Sequence, residues 1–171
     1  MATRSASALR HEALAHADAL YRLAYHLSSA DAEDLVQETF ARAFGAAERL
    51  PADSNLKAWL FRILRNLHID LYRKQRSAPL SAPFDDEASA AEPELLRDDH
   101  ELEHLRRVVA EDIERALSSL SPDARTVVLL DLEGFSESEL STVLGCPIGT
   151  VKSRLLRARL ALRKHLQEYA R

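Results

Sequence analysis

Two groups of basic side chains, one in each half of the chain, are spaced so that they could bind an anionic ligand. Residues 147–165 contain six Lys and Arg and no acid, and residues 62–76 contain five basic residues against Asp70 alone. Cationic side chains that project from one side of a helix bind the phosphates of nucleic acid. The alternative is that each group is a solvated helix face with no ligand.

The first basic group lies on a helix that we predict from about residue 56 to Arg76, capped by Asp53 or Ser54 after the turn 51–55. At 100° per residue an apolar stripe faces the core: Leu56, Leu60, Ile63, Leu64, Leu67 and Leu71. A polar stripe lies opposite: Arg62, Arg65, Asn66, Ile69, Arg73 and Arg76. Trp59 lies between the stripes, where its indole could stack on an unpaired base or anchor the core.

Two helices are predicted before it. The first is a single amphipathic helix over about 6–28, and the second runs over about 32–47 with Asp31 as its N-cap. Asp34, Glu38 and Arg42 share the exposed side of the second helix, with Leu35 beside them. This acidic face fits docking onto a basic partner, and a solvated helix face is an equal alternative.

The second basic group ends a helix-turn-helix pattern. After a helix at about 99–119, Ser121 and Pro122 start a helix that runs to about Leu132 and ends at Gly134. The segment 136–139 is a capping box for a short helix at about 137–144, and Gly145 provides the turn. Cys146-Pro147 then opens a long basic helix. This order is typical of a helix-turn-helix.

On that last helix the apolar residues Val151, Leu155, Ala158, Leu162 and Leu166 share one face. The opposite face, near the N-terminus that enters the major groove, carries Thr150, Ser153, Arg154 and Arg157. The flanking basic residues are better placed for the sugar-phosphate backbone: Lys152, Arg159, Arg163 and Lys164. A basic helix that binds a membrane surface or a partner is the alternative.

Composition predicts an all-α fold with two small helical domains joined by a flexible acidic linker. The 171 residues are 46% hydrophobic and 29% charged, and only four glycines punctuate long stretches rich in Ala, Leu, Arg and Glu. We divide the chain into an N-terminal module (1–76), a linker (77–99) rich in Pro, Ser, Ala and acids, and a C-terminal module (100–171).

Several function classes are disfavoured by the sequence. The single cysteine, Cys146, predicts a reducing cytosol, and no apolar run is long enough to insert into a membrane. His100 and His104 lack a third ligand, so we expect no metal site and no cofactor. The absence of a phosphate-binding loop, a nucleophile elbow or paired catalytic carboxylates predicts a protein that is not an enzyme and has no small-molecule substrate.

Both motif blocks together resemble the extracytoplasmic-function sigma factors of bacterial RNA polymerase. Residues 31–40 are similar to the family's polymerase-docking helix, and residues 56–66 with Asp70 and 72–74 are similar to its region for -10 recognition and melting. Residues 120–159 look like its -35-binding module, including the segments 134–136 and 145–154. The resemblance covers nearly the whole chain.

The resemblance implies roles for individual residues. Four would face the largest polymerase subunit: Asp34, Leu35, Gln37 and Glu38. The 50–56 turn with Asn55 would form the pocket for a flipped -10 base, and Asn66, Arg73 and Lys74 would hold the melted strand or the upstream duplex. The -35 element would be read by Lys152, Ser153, Arg154 and Arg157.

The resemblance also implies partners: core RNA polymerase, promoter DNA and an anti-sigma factor. Residues 54–64 and 166–169 are most similar to the subgroup that responds to thiol oxidation and is restrained by a zinc-containing anti-sigma factor, whose zinc would belong to the partner. The family often has a basic residue near Leu130, where this chain has none. A stand-alone helix-turn-helix regulator and a nucleic-acid enzyme are the alternatives from other classes.

Overall fold

The computed structural model describes residues 6–51, 53–77 and 100–167, and the regular elements in these ranges are helical, as the composition predicts. The N-terminal module contains α1 (Ala6–Leu14), α2 (Ala17–Leu27), α3 (Ala32–Gly45) and α4 (Leu56–Ser77). The C-terminal module contains α5 (His100–Ser118), α6 (Pro122–Leu132), α7 (Glu137–Leu144) and α8 (Ile148–His165). The acidic linker predicted at 77–99 lies outside the described residues, apart from Ser77 at the end of α4.

The single helix predicted over 6–28 is wrong, because the chain turns between α1 and α2. The amide of His16 bonds the carbonyl of Ala13 at 3.0 Å, an i to i−3 bond that tightens the turn, and His16 has φ −101° and ψ 4°. Leu9 and Ala13 on α1 and Leu20 and Leu23 on α2 are all buried after the turn. Core packing therefore breaks the helix where the sequence has neither Gly nor Pro.

Two of the predicted N-caps also differ from the structure. Asp31 precedes α3 but makes no side-chain cap; its carboxylate accepts a hydrogen bond from Ser28 Oγ at 2.7 Å instead. Asn55, rather than Asp53 or Ser54, caps α4, because its Oδ1 accepts from the amide of Ala58 at 2.9 Å. The caps predicted for the C-terminal module are confirmed, including the reciprocal capping box of Ser136 and Glu139.

Gly134 and Gly145 end helices in the left-handed region, with φ of 81° and 63°. A residue with a Cβ is strained in this region, so the two glycines permit the sharp turns on either side of α7. The turn at Gly145 sets α7 against α8, where Leu140, Val143, Val151 and Leu155 are buried together. The predicted helix-turn-helix is therefore formed.

The core is one buried cluster that includes residues of both modules. In the N-terminal module α4 packs against α3 and α2, which buries Leu60, Phe61 and Leu64 completely. The predicted stripe of α4 is thus confirmed, and Phe61 is an addition to it. Helix α4 also packs against α7, and α2 packs against α6. The described structure is a closed arrangement in which the helix-turn-helix lies against the N-terminal module.

Candidate functional site

The turn before α4 brings an amide side chain to the boundary between the modules. Asn55 caps α4 through Oδ1 and donates from Nδ2 to Glu139 Oε1 at 2.6 Å. Glu139 also accepts hydrogen bonds from the amide and the hydroxyl of Ser136. These two bonds are the largest causes that lower the pKa of the Glu139 carboxyl, and the bond from Asn55 is a smaller cause in the same direction. The side chain expected to bind a base is therefore held by the helix-turn-helix.

The polar stripe of α4 is solvent-facing over most of its length. Arg62, Asn66, Arg73 and Lys74 are exposed, so the structure brings four of the expected strand-binding residues to one surface. Arg65 is half-buried, and burial lowers its pKa; Arg154 and Arg62 act in the same direction, while Asp123 opposes them. Its guanidinium nevertheless stays charged at any physiological pH.

Trp59 is partly buried and packs against the core cluster, which fits the anchoring alternative. Part of the indole remains accessible, and a base could stack only on that exposed part. The role of Trp59 in binding the strand therefore stays a prediction. Its packing against the core leaves only part of the ring free to contact a base.

A cleft lies between α3 and α4. It is lined by the acids Asp34, Glu38 and Asp70 and by the basic residues Arg42, Arg73 and Lys74 over an apolar floor. Glu38 pairs with Arg42 at 2.8 Å across one turn of α3. Leu35 contributes to the floor and is only 5% exposed, so the sequence interpretation of it as an exposed leucine is wrong. Gln37 is exposed but does not line this cleft.

Acids of the same module pair with three of the basic residues of α8 that are predicted to contact the -35 element. Arg154 pairs with Asp123 at 3.0 Å, Arg159 with Asp131 at 2.6 Å, and Lys152 with Glu137 at 3.3 Å. Arg157 bonds the carbonyl of Ser153, and both of these residues are exposed. Thr150 is half-buried. Of the four residues predicted to face the bases, Ser153 and Arg157 are therefore exposed, whereas Thr150 and Arg154 are half-buried.

Leu130, where the family often has a basic residue, is fully buried in α6. It packs in the apolar cluster with Val127 and Leu140. A charge at this position would have to leave the core, because burying an unpaired charge is strongly unfavourable. Leu130, the position at which this chain departs from the family, is therefore a core residue in this protein.

Four residues that sequence reasoning did not single out join the modules: Arg22, Lys57, Glu133 and Phe135. Arg22 forms two hydrogen bonds with the carboxylate of Glu133, at 2.9 and 3.0 Å. Lys57 Nζ donates to the carbonyl of Glu133 at 2.6 Å and lies 4.4 Å from the centre of the Phe135 ring. These contacts join residues 76 to 111 positions apart, so no local pattern could reveal them.

Two further contacts join the modules on the side of α2 facing α5 and α6. Arg125 on α6 donates from Nη1 to the carbonyl of His26 at 3.4 Å, and His26 Nδ1 lies 2.8 Å from Glu114 Oε1. His68 on α4 is more than half buried near Arg125. Burial is the main cause that lowers the pKa of the His68 imidazole, and the nearby charge of Arg125 is the second. The neutral imidazole is therefore favoured.

Within residues 6–51, 53–77 and 100–167, no group of three or more His, Cys, Asp or Glu side chains is arranged to hold a metal ion. Over the same ranges no helix is long and apolar enough to cross a bilayer. Cys146 is half-buried, with Arg154 Nη1 at 4.0 Å from its sulfur.

Family models match both modules in the order of the chain. Residues 13–78 match Sigma-70 region 2, and residues 110–162 match Sigma-70, region 4. A relative named ECF RNA polymerase sigma factor EcfG, from Rhodopseudomonas palustris, is 38% identical over 157 residues, covering 90% of this chain and 82% of the relative.

A second relative is named ECF RNA polymerase sigma factor SigE, from Mycolicibacterium smegmatis. It is 41% identical over 160 residues, covering 91% of this chain. The match spans only 60% of the length of that relative.

Two solved structures are also similar. The sigma factor RpoE in complex with the anti-sigma factor NepR, from Bartonella quintana, has a TM-score of 0.69 and 34% identity, covering 92% of this chain and 96% of that one. The structure of CnrH in complex with the cytosolic domain of CnrY has a TM-score of 0.67 and 27% identity, covering 95% of this chain and 89% of that one.

Proposed function

The chain belongs to the extracytoplasmic-function sigma factors, and we propose that it binds core RNA polymerase and directs promoter-specific initiation of transcription. The observation that carries this proposal is the presence, in one chain, of an exposed basic helix beside a capped turn and a complete helix-turn-helix. The first suits a melted strand and the second suits duplex DNA, which are the two forms of promoter DNA in an opening complex.

We propose that the N-terminal module, at about residues 1–76, holds the melted -10 strand. Asn55 supplies an amide at the mouth of the turn, whose two polar atoms suit hydrogen bonds to the edge of a flipped base. Arg62, Asn66, Arg73 and Lys74 continue this surface along α4, so the phosphates of the strand can follow the helix. The exposed part of Trp59 would stack on a base.

We propose that the C-terminal module, at about residues 100–171, reads the -35 duplex through α8. Ser153 and Arg157 are exposed near the N-terminal half of this helix and would reach base edges or phosphates first. Arg154, Lys152 and Arg159 join this surface once the acids that pair with them give way to DNA phosphates, and the half-buried Thr150 completes it. Those pairs are exposed or partly exposed, so the exchange costs little.

The two DNA elements require the modules to separate. The -10 and -35 elements lie about 25 base pairs apart, which is roughly 85 Å along B-form DNA. In the closed arrangement Asn55 contacts Glu139 of α7 directly, so the two DNA-binding surfaces cannot reach both elements at once. The 22 residues between Ser77 and His100 span up to about 75 Å when fully extended, and with the width of the modules this reaches the required distance.

We propose that the cleft between α3 and α4 docks the polymerase. Asp34 and Glu38 present carboxylates at its rim, and the partly exposed Leu71 gives the floor apolar area that a partner can bury, beside Leu35, which is already buried. Charged rims steer association and set its orientation, while the buried floor contributes most of the affinity. Gln37 is exposed beside the cleft and would contact the edge of the partner.

An anti-sigma factor is a further proposed partner. In one of the two similar structures the sigma factor RpoE is bound to the anti-sigma factor NepR, and the similarity covers 92% of this chain and 96% of that one. A partner that stabilised the closed arrangement would keep Asn55 covered and would compete with polymerase. We place this activity in the cytoplasm, with no catalytic chemistry of the chain's own.

Reconstituted transcription tests the proposal. Purified chain is added to core polymerase on promoter fragments selected from genomic DNA, and run-off transcripts are measured with and without the chain. We expect promoter-specific transcripts only when both proteins are present. Specific duplex binding by the chain alone, with no effect on core polymerase, would instead establish the stand-alone regulator.

A further inference from the structure

A second cleft lies between the C-terminal half of α4 and the start of α6, and its volume is about 570 Å³. Cavities that bind small molecules have volumes in this range. Of the described residues that line the cleft, three are arginines and one is an acid: Arg65, Arg73, Arg76 and Asp123. The cleft therefore has an excess of positive charge, which suits an anionic ligand.

The charges in the cleft are only partly compensated by the chain itself. The carboxylate of Asp123 lies 3.0 Å from the guanidinium of Arg154, which does not line the cleft, so part of its negative charge is balanced from outside. Burial is the largest cause that lowers the pKa of the half-buried Arg65 guanidinium. A bound anion would replace the stabilisation that this guanidinium loses with its hydration.

His68 adds an unsatisfied polar atom to the wall of the cleft. Its Nδ1 is buried and has no hydrogen-bond partner among the described residues. Buried polar atoms without a partner are rare in folded proteins, because leaving one unsatisfied costs free energy. A neutral imidazole nitrogen either donates or accepts, and a hydroxyl group can serve it in both cases. This atom therefore favours an occupant that carries hydroxyl groups as well as negative charge.

Tyr72 gives the cleft an aromatic surface. Its side chain is 43% exposed, and Arg76 Cζ lies 5.6 Å from the centre of its ring. Tyr72 follows Arg65 by seven positions, which is about 10 Å along the helix axis. This distance is comparable to the separation between the base and the terminal phosphate of a nucleoside diphosphate. An exposed aromatic ring is a general stacking surface for a base.

We propose that the cleft between α4 and α6 binds a nucleoside diphosphate. The guanidinium groups bond the phosphate oxygens, and the base stacks on the exposed part of the Tyr72 ring. A ribose hydroxyl supplies the partner that His68 lacks. Because α4 and α6 belong to different modules, the nucleotide contacts both of them. The site goes beyond the proposed function, since it involves neither polymerase nor promoter DNA.

Isothermal titration calorimetry on the full-length chain tests the site, with ADP and GDP as the probes. Arg73 is left unchanged, because it also belongs to the surface proposed for the melted strand. R65A should weaken the binding of both nucleotides by roughly tenfold, because it removes a phosphate-binding guanidinium. D123N should strengthen it by roughly two- to fivefold, because it removes the acid that repels the phosphates. A variant that only disturbed the fold would not raise the affinity.

Each variant has a matched control. R107A removes an exposed arginine on α5, and D131N removes an acid of α6 that pairs with an arginine of α8, as Asp123 does, but lies outside the cleft. Neither should change the affinity. Y72A should weaken ADP by roughly threefold and leave the affinity for inorganic pyrophosphate unchanged. Y21A alters a tyrosine of the same 43% exposure and should change neither.

Three results would overturn the site. The first is no binding of either nucleotide at millimolar concentration. The second is an equal response of each variant and its control, which would show attraction by net charge alone. The third is a short single-stranded oligonucleotide whose affinity follows the same variants in the same way, which would assign the cleft to the DNA-binding surface. Run-off transcription with core polymerase tests the proposed function separately, and its failure would leave nucleotide binding intact.

Discussion

The rings of Phe61 and Phe135 meet edge to face across the boundary between the two modules, with centroids 4.9 Å apart and planes inclined by 64°. This geometry places the positive edge of one ring against the negative face of the other. The attraction stabilises the contact in addition to the burial of apolar surface. One ring comes from the helix proposed to hold the melted strand and the other from the turn before the helix-turn-helix. The closed arrangement is therefore joined by core-like packing.

Replacing Phe135 by alanine is expected to lower the free energy of unfolding by about 3–5 kcal/mol, because it removes a buried ring and leaves a cavity against Phe61. Urea denaturation followed by circular dichroism measures the change. Leu132→Ala is the control, since Leu132 is 75% exposed and should change stability by less than ~0.5 kcal/mol. Equal losses in the two variants would contradict the packing described here.

Asp34→Lys is expected to weaken association with core polymerase at least tenfold, because it reverses a charge at the rim of the α3–α4 cleft. Glu33→Lys makes the same change on the neighbouring residue, which is exposed but does not line the cleft, and should have a smaller effect. Pull-down with purified core measures both variants. Undiminished capture of Asp34→Lys would remove the docking assignment.

Arg157→Ala is expected to cost about 1–3 kcal/mol of holoenzyme binding at the upstream promoter element, because it removes an exposed guanidinium from the face of α8 proposed to enter the groove. Arg107→Ala on α5 is the matched control. Footprinting of the reconstituted holoenzyme reports protection of the -35 region. If protection is the same in both variants, α8 does not read that element through this face.

Asn66→Ala is expected to leave promoter binding largely intact and to reduce strand opening, since Asn66 is exposed on the surface of α4 proposed for the melted strand. A promoter that is already unpaired should restore most of the lost transcription. Gln75→Ala is the control, because Gln75 is an exposed amide on the opposite side of the same helix.

Permanganate reactivity of unpaired thymines measures this opening directly. Arg157→Ala should not be rescued by the unpaired promoter, because it acts at the duplex element. Rescue of Asn66→Ala and Arg157→Ala to the same degree would show that the two modules do not divide the work in this way.

Glu139 is expected to make stability depend on pH. Its hydrogen bonds with Ser136 and Asn55 lower the pKa of the carboxyl in the folded chain. The stabilisation is therefore present above the unfolded pKa of about 4.3 and is lost as pH falls through the lower, folded value. Glu139→Gln preserves the capping geometry but removes the charge.

The measurement is urea denaturation at pH 7 and again near pH 3.5. The wild type should lose more stability between the two values than Glu139→Gln does. Glu137→Gln, on the neighbouring exposed residue of the same helix turn, serves as the control and should follow the wild type. A loss in Glu139→Gln equal to that of the wild type would show that this carboxylate does not carry the dependence.

The sequence alone determined those features that depend on neighbours along the chain. Hydrophobic periodicity located the apolar stripe of α4 and the buried face of α8, and Ser121, Ser136 and Gly145 marked the ends of α6 and α7. These features follow from helical geometry and from capping groups within four residues. They sufficed to predict the all-α fold and the helix-turn-helix.

Tertiary structure alone decided which of those faces are available. The turn at His16 and the burial of Leu35 and Leu130 all depend on what packs against each element. The contacts of Arg22 and Lys57 with the turn before α7 join residues 76 or more positions apart, where no period or cap links them. Periodicity shows that a helix has two faces, but only the packed chain determines what each face touches.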